Sequence, residues 1–355
     1  ETSLDRCQPF LREGGWRGWT TVKARFMPRP TRQRLLPPPP PPLPAQRWQP
    51  PLRFLHIPKT AGTSAIVELQ ALGYDLGSAS QATMEACYPP YKSSSPSTLN
   101  FVLLREPRSH VLSQFLECRF TRFGSWVTWA DSLRHAEWQK ECKRTRCGIN
   151  RFGERFGGSR NRTAASILAG FEPWIRHFAR VQGSARRSGV DDFGCYDARS
   201  LQTRALTCAR RGGYASHHYD GEANLAGAME VVRQVDLLGV TELYHESLCL
   251  VHFRVQGALP PSCVCTADAN HSAGGGTMRH EHRTHGGPRD FGLSALPQAL
   301  LPTVDAVTRD DAQLYEAALR RVVRDIRSVE TQAGARVLCR AAPRYSAPGG
   351  ATGQA

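Results

Sequence analysis

Phe54-Leu55-His56-Ile57-Pro58-Lys59-Thr60-Ala61-Gly62-Thr63-Ser64 links an apolar run beginning at Leu52 to a second apolar pattern at Ile66, Val67, Leu69 and Leu72. The first run stops at Pro58, a Lys-Thr-Ala-Gly loop follows, and the later residues recur at helical spacing, which gives strand, loop, helix. At a helix N-terminus the first backbone N–H groups lack intrahelical acceptors and carry partial positive charge, a setting that suits phosphate or sulfate. Here those groups belong to Thr60 through Ser64. Lys59 adds a full charge, Thr63 and Ser64 add hydroxyl donors, and Gly62 is expected to let the backbone approach an anion closely.

A nucleotide-hydrolase phosphate loop places its lysine after the glycines, as G-x-x-x-x-G-K-[ST]. In this chain Lys59 precedes the single Gly62, so that motif is absent. A second element, Asn100-Phe101-Val102-Leu103-Leu104-Arg105-Glu106-Pro107-Arg108-Ser109-His110-Val111-Leu112-Ser113-Gln114-Phe115, again passes from a buried-strand pattern into a helix. Pro107 marks the helix start, and Val111, Leu112, Phe115 and Leu116 form its apolar face. Arg105 at the strand tip and Ser113 two turns into the helix can converge on one phosphate.

The order Lys-Thr-x-Gly-Thr-Ser after His-Ile-Pro resembles the 5′-phosphosulfate loop of sulfotransferases, particularly the Golgi carbohydrate sulfotransferases. Arg105-Glu106-Pro107 with Ser113 is similar to the family's 3′-phosphate element, and Leu238-Gly239-Val240-Thr241-Glu242 with Glu246-Ser247-Leu248 to a later strand-helix unit. The resemblance covers roughly residues 51 to 330. It implies an α/β fold, a three-layer sandwich with a central parallel sheet of the P-loop-like sulfotransferase kind. It also implies 3′-phosphoadenosine 5′-phosphosulfate (PAPS) as co-substrate, no divalent metal, and an acceptor hydroxyl on a carbohydrate or glycolipid, with no nucleic acid as partner. By the same resemblance Lys59 stabilises charge on the bridging oxygen, Thr60, Gly62, Thr63 and Ser64 hold the 5′-phosphate, and Arg105 with Ser113 holds the 3′-phosphate. The Golgi lumen is the implied location, reached through a membrane anchor that this chain does not contain.

A lumenal glycan sulfotransferase often carries its catalytic base between the two phosphate motifs. No histidine occurs in that interval here, and its acidic residues are Glu68, Asp75 and Glu85. Glu85, in the loop, is the better placed; Glu68 falls within the first helix. His110 has the more suitable unperturbed pKa but sits beside the 3′-phosphate element, where it can instead cap or pair with that phosphate. His217 and His218 lie far along the chain and stay open as candidates.

A formal net charge of +15 and a pI of about 9.7 suit polyanionic partners, although Arg-rich composition spread over a solvated surface accounts for them equally. Eleven cysteines and the sequons Asn161-Arg162-Thr163 and Asn270-His271-Ser272 point to an oxidising compartment. An odd count leaves at least one thiol unpaired or paired with another chain. Cys142 with Cys147, and Cys263 or Cys265 with a distant partner, are the expected bridges. The chain contains no apolar run of about 18 residues, the length a membrane-spanning helix needs.

Three regions are expected: a basic, Pro-rich stem at residues 1–50, a sulfotransferase domain at 51–335 and a disordered tail at 336–355. The stem's Pro37 to Pro42 run reads as a stiff spacer or as a ligand for a proline-recognition module. Between residues 120 and 165, Trp126, Trp129, Trp138, Lys140, Lys143 and Arg144 interleave aromatic and basic groups, suited to sugar rings or to a local core. Helices are expected to start at Pro173, to run over 222–234 and 242–253, and to open at Thr308-Arg309-Asp310-Asp311 with a capping box; a buried strand is expected over 235–240. Cys263, Cys265, His271, His280, His282 and His285 lack a clean zinc register, so a polar loop is preferred there over a metal. Two other functions fit the loop: a nucleotide-dependent phosphotransferase, and a non-catalytic polyanion- or glycan-binding protein on a sulfotransferase scaffold.

Overall fold

The computed structural model describes residues 51–74, 76, 88, 98–121, 163–181, 196–208, 222–265, 291–339, 343 and 345. Three short strands, β1 (Leu52–Leu55), β2 (Leu99–Leu104) and β3 (Leu237–Val240), pair in parallel in the order β1-β2-β3. Leu52 faces Leu99 across the first pair and Phe101 faces Leu237 across the second. A parallel sheet covered on both faces needs strands that are apolar on both sides, and β2 supplies them. Phe101 and Leu103 point to one face, Val102 and Leu104 to the other, and none of the four is accessible to solvent.

Helices cover each face. On the Phe101 side lie α1 (Gly62–Ala71), through Ala65, Ile66 and Leu69, and a later helix, Tyr244–Gln256, through Tyr244, Leu248 and Val251. The Val102 side carries α2 (Pro107–Phe120), α3 (Ala164–Arg180), α4 (Leu201–Thr207) and α5 (Leu225–Gln234). The Tyr244–Gln256 helix is α6, and α7 (Leu301–Val307) and α8 (Arg309–Ala333) complete the Val102 side. Phe115, Phe171, Trp174 and Phe178 form an aromatic cluster between α2 and α3, with ring centroids 5.1 to 5.4 Å apart for the Phe115–Phe171, Phe115–Trp174 and Trp174–Phe178 pairs. At Gly239 in β3 a Cβ would lie 2.6 Å from both Leu103 and Ser247, so only glycine lets α6 settle on the sheet. Ser247 then accepts a hydrogen bond from Val240 N at 3.0 Å and donates to Leu243 O at 2.7 Å. These features define an α/β protein with a parallel sheet between helices.

Several local expectations change. Pro173 lies inside α3, which starts at Ala164 under a Thr163 cap that accepts from Ser166 N at 3.3 Å. The missing Pro173 donor is outweighed by burial of Phe171, Trp174, Ile175 and Phe178. Thr308 does not close a capping box: α7 runs directly into α8, and the Thr308 hydroxyl donates back to Val304 O at 2.9 Å. Asp311 turns away to cap a different helix, accepting from Gln202 N, Thr203 N and the Thr203 hydroxyl at the start of α4. Between described residues, Cys263 and Cys265 each form a bridge, Cys249–Cys263 and Cys265–Cys339. That second bridge holds residues placed in the expected tail. Val337 and Leu338 are 1% and 0% exposed, and their N–H groups both donate to Glu330 Oε1 at 2.8 Å, so the packed chain runs past residue 335. Cys142, Cys147 and the whole expected stem fall outside the described residues.

Candidate functional site

Parallel strands bring their C-terminal ends to one edge, and in open α/β sheets that edge is where ligands bind. Here it gathers the loop after β1, Arg105 and Glu106 after β2, and Thr241 and Glu242 after β3. Within the first loop Lys59 and Ala61 adopt left-handed backbone, φ 65° and 63°. Non-glycine residues hold that conformation only where their surroundings over-determine it. Thr60 supplies part of the constraint: it is fully buried and its hydroxyl donates to Ile57 O at 2.9 Å. Its side chain braces the loop and faces inward.

Arg105 supplies more. Its Nη1 donates to Lys59 O at 3.0 Å, joining the two sequence motifs in space. The Arg105 backbone is held in turn by Gln202, whose Oε1 accepts from Arg105 N at 2.8 Å and whose Nε2 donates to Arg105 O at 2.9 Å. Burial lowers the Arg105 pKa from its ordinary value, while the Glu242 and Glu106 carboxylates act in the opposite sense. Glu106 caps α2 by accepting from Arg108 N and Ser109 N at 3.1 and 2.7 Å, and its own N–H donates to Glu242 Oε1 at 3.1 Å. Glu242 is fixed from the far side by the Tyr315 hydroxyl at 2.6 Å.

The face of α2 that carries His110, Ser113, Gln114 and Glu117 lies under the loop, as i, i+3, i+4 and i+7 spacing requires. His110 Nε2 donates to Pro58 O at 2.7 Å, and Gln114 Nε2 donates to His110 Nδ1 at 3.1 Å. A carbonyl can only accept and an amide nitrogen only donate, so these partners fix the neutral tautomer with its proton on Nε2. Burial then pushes the His110 pKa down to about 3, helped by the nearby Arg105 and Lys59 charges and opposed by the Pro58 bond. With both ring nitrogens engaged, His110 braces the loop and is not poised as a base. Ser113 is buried on the same face, one turn from each of His110 and Glu117.

Glu117 is the residue that sequence reasoning missed. Its Oε2 lies 2.7 Å from Lys59 Nζ, and the two side chains are 11% and 10% exposed. The available signal was its position seven residues after His110, which places it on the loop-facing stripe of α2.

Gly62 serves a different neighbour from the one expected. A Cβ there would lie 1.8 Å from Cδ2 of His56, so the close approach Gly62 permits is that of the His56 ring. α1 has no side chain capping its first turn, and its first internal bond is Ala65 N to Ala61 O at 3.0 Å. The N–H groups of Gly62, Thr63 and Ser64 thus open the helix as an uncapped donor set. With Lys59 and Arg105 beside it, this donor chemistry fits a phosphosulfate: uncapped N–H groups, one ammonium and one guanidinium on a single edge. Glu85, the expected base, lies outside the described residues, as do His217 and His218.

The Cys249–Cys263 bridge sits beside His245, whose Nε2 is 3.6 Å from Cys249 Sγ and donates to Ser262 O at 2.9 Å. With both sulfurs in the disulfide, this trio is a structural staple. The fold and edge define an α/β protein with an uncapped strand-loop-helix site where Lys59 and Arg105 meet the Glu117, Glu106 and Glu242 carboxylates. No family model, no characterised protein and no solved structure matches the chain.

Proposed function

We propose that this protein is a sulfotransferase of the P-loop-like fold, moving the sulfuryl group of PAPS to an acceptor hydroxyl on a carbohydrate or glycolipid in the Golgi lumen. The observation that carries this reading is the 3.0 Å bond from Arg105 Nη1 to Lys59 O. It joins the proposed 3′- and 5′-phosphate elements, 46 residues apart in the chain, at one edge of the sheet. PAPS would supply an activated sulfate on a good leaving group, and no metal is called for. The α1 N–H groups, with the Thr63 and Ser64 hydroxyls, would hold the 5′-phosphate; Arg105 and Ser113 would hold the 3′-phosphate. Lys59 would neutralise charge developing on the bridging oxygen, a contribution on the order of 3 to 4 kcal/mol to the barrier.

The test is sulfate transfer from radiolabelled PAPS across a panel of glycans, glycolipids and small alcohols, with Lys59→Ala alongside. Transfer by the wild type and a loss of roughly 100-fold or more in the folded variant are expected. Wild-type turnover in Lys59→Ala would overturn the mechanism. Calorimetry with adenosine 3′,5′-bisphosphate against ATP separates the phosphotransferase alternative. Bisphosphate binding without transfer to any acceptor would favour a non-catalytic glycan-binding role, which the engagement of both His110 nitrogens already makes worth testing.

A further inference from the structure

Lys59 is gripped at both ends. Its carbonyl accepts from Arg105 and its ammonium lies 2.7 Å from Glu117, while its backbone is held in the left-handed region. An ammonium and a carboxylate that are each about nine-tenths enclosed attract strongly, so the pair draws the Lys59 ammonium toward α2. A carboxylate at this point is also unfavourable for the function proposed above, because it sits where the loop should attract an anion. The pair and an anion site on the same loop are compatible if the two interactions of Lys59 alternate.

We propose that Glu117 is a positioning residue that holds the Lys59 ammonium against α2 while the loop is empty and surrenders it to the incoming anion. The exchange swaps one carboxylate partner of Lys59 for a phosphosulfate oxygen and leaves the ammonium charged throughout. Empty, the site presents a neutralised pair and so discriminates against simple monovalent anions, which cannot compete with a buried carboxylate. A multivalent anion that also engages Arg105 and the α1 N–H groups can. Glu117 therefore sets a threshold of charge and of contact number for occupancy. This inference rests on the PAPS reading for the identity of the anion, whereas the hold on Lys59 stands on the structure alone.

The experiment uses the full chain as wild type, Glu117→Gln, Glu117→Asp, Lys59→Ala and the double variant Lys59→Ala/Glu117→Gln, each checked for native circular dichroism. Reductive methylation of the Lys59 amine in anion-free buffer, followed residue by residue by mass spectrometry, reads the hold directly. Glu117→Gln should label at least threefold faster than wild type, with Glu117→Asp in between; equal rates would overturn the proposal whatever the loop binds. Calorimetry with adenosine 3′,5′-bisphosphate reads the exchange. Glu117→Gln should bind several-fold tighter than wild type, and the same substitution should change little in the Lys59→Ala background. An equal gain in both backgrounds would mean that Glu117 acts on the anion directly and would also overturn the proposal. Faster labelling with no bisphosphate bound by any variant would leave the hold intact but overturn both the exchange and the PAPS reading.

Discussion

Removing the Arg105 guanidinium takes away a donor to Lys59 O together with a candidate phosphate ligand. Charge-assisted contacts of this kind contribute roughly 1.5 to 3 kcal/mol, so Arg105→Ala should weaken adenosine 3′,5′-bisphosphate by about 10- to 100-fold in calorimetry. Adenosine 5′-monophosphate should lose less, through loosening of the loop alone; equal losses would contradict the 3′-phosphate assignment. His110 gives a prediction about stability. Its pKa in the fold is pushed from 6.5 to about 3, so the native protein refuses a proton that the unfolded chain accepts. The stability tied to neutral His110 is complete above pH 6.5 and is lost as pH falls toward 3. Asp311 works the other way: burial raises its pKa from 3.8 to about 6, so its contribution is lost as pH rises through 6. The two overlap, and the His110 effect must be read as a difference. From pH 7 to 5, thermal or denaturant unfolding of His110→Gln should gain on wild type by up to about 1.4 kcal/mol per pH unit. Parallel curves would show that His110 is not held neutral.

At the scale of elements, the join of β1 to α1 depends on how closely His56 lies over Gly62. A methyl group there would overlap the imidazole, and overpacking of this kind costs typically about 1 to 3 kcal/mol. Gly62→Ala should lower the unfolding midpoint measurably, and adding His56→Ala should recover most of the loss. Failure of the second substitution to rescue would place the strain in the backbone and not in this contact. The same loop was legible in the sequence as strand, loop and helix because apolar spacing changes from continuous to helical across Pro58. What spacing could not reveal was that Gly62 makes room for a ring of its own chain. Helix ends show a similar limit. The Thr308-Arg309-Asp310-Asp311 pattern marked a helix start within a residue, yet Asp311 spends its oxygens on α4 because that helix presents buried N–H groups beside it.

For the molecule as a whole, the Cys265–Cys339 bridge closes a loop of 74 residues that includes α7 and α8. Chain-entropy reasoning gives a cross-link of this span up to about 4.5 kcal/mol. Cys339→Ala should therefore lower stability by a substantial part of that amount in thermal unfolding, and reductant should lower the wild type by more than the variant, which keeps Cys249–Cys263. A variant as stable as wild type would mean that packing of Val337 and Leu338, with the Glu330 contacts, holds this segment without the bridge. Among the described residues no helix is long and apolar enough to cross a membrane.

Local order was set by the sequence itself. Runs that are apolar on both sides, such as Phe101 to Leu104, can be satisfied only in a sheet covered on both faces, and Pro58 and Pro107 fix where strand gives way to loop and helix. That a lysine stands in the loop leading into α1 follows from the residues alone. Tertiary structure decided which partners those residues meet. Glu117 reaches Lys59 across 58 positions, Gln202 holds Arg105 across 97, and Asp311 caps α4 across more than 100. Periodicity says which side of a helix faces inward, but what waits there depends on how the helices pack against the sheet, and a buried charge takes its role from that neighbour.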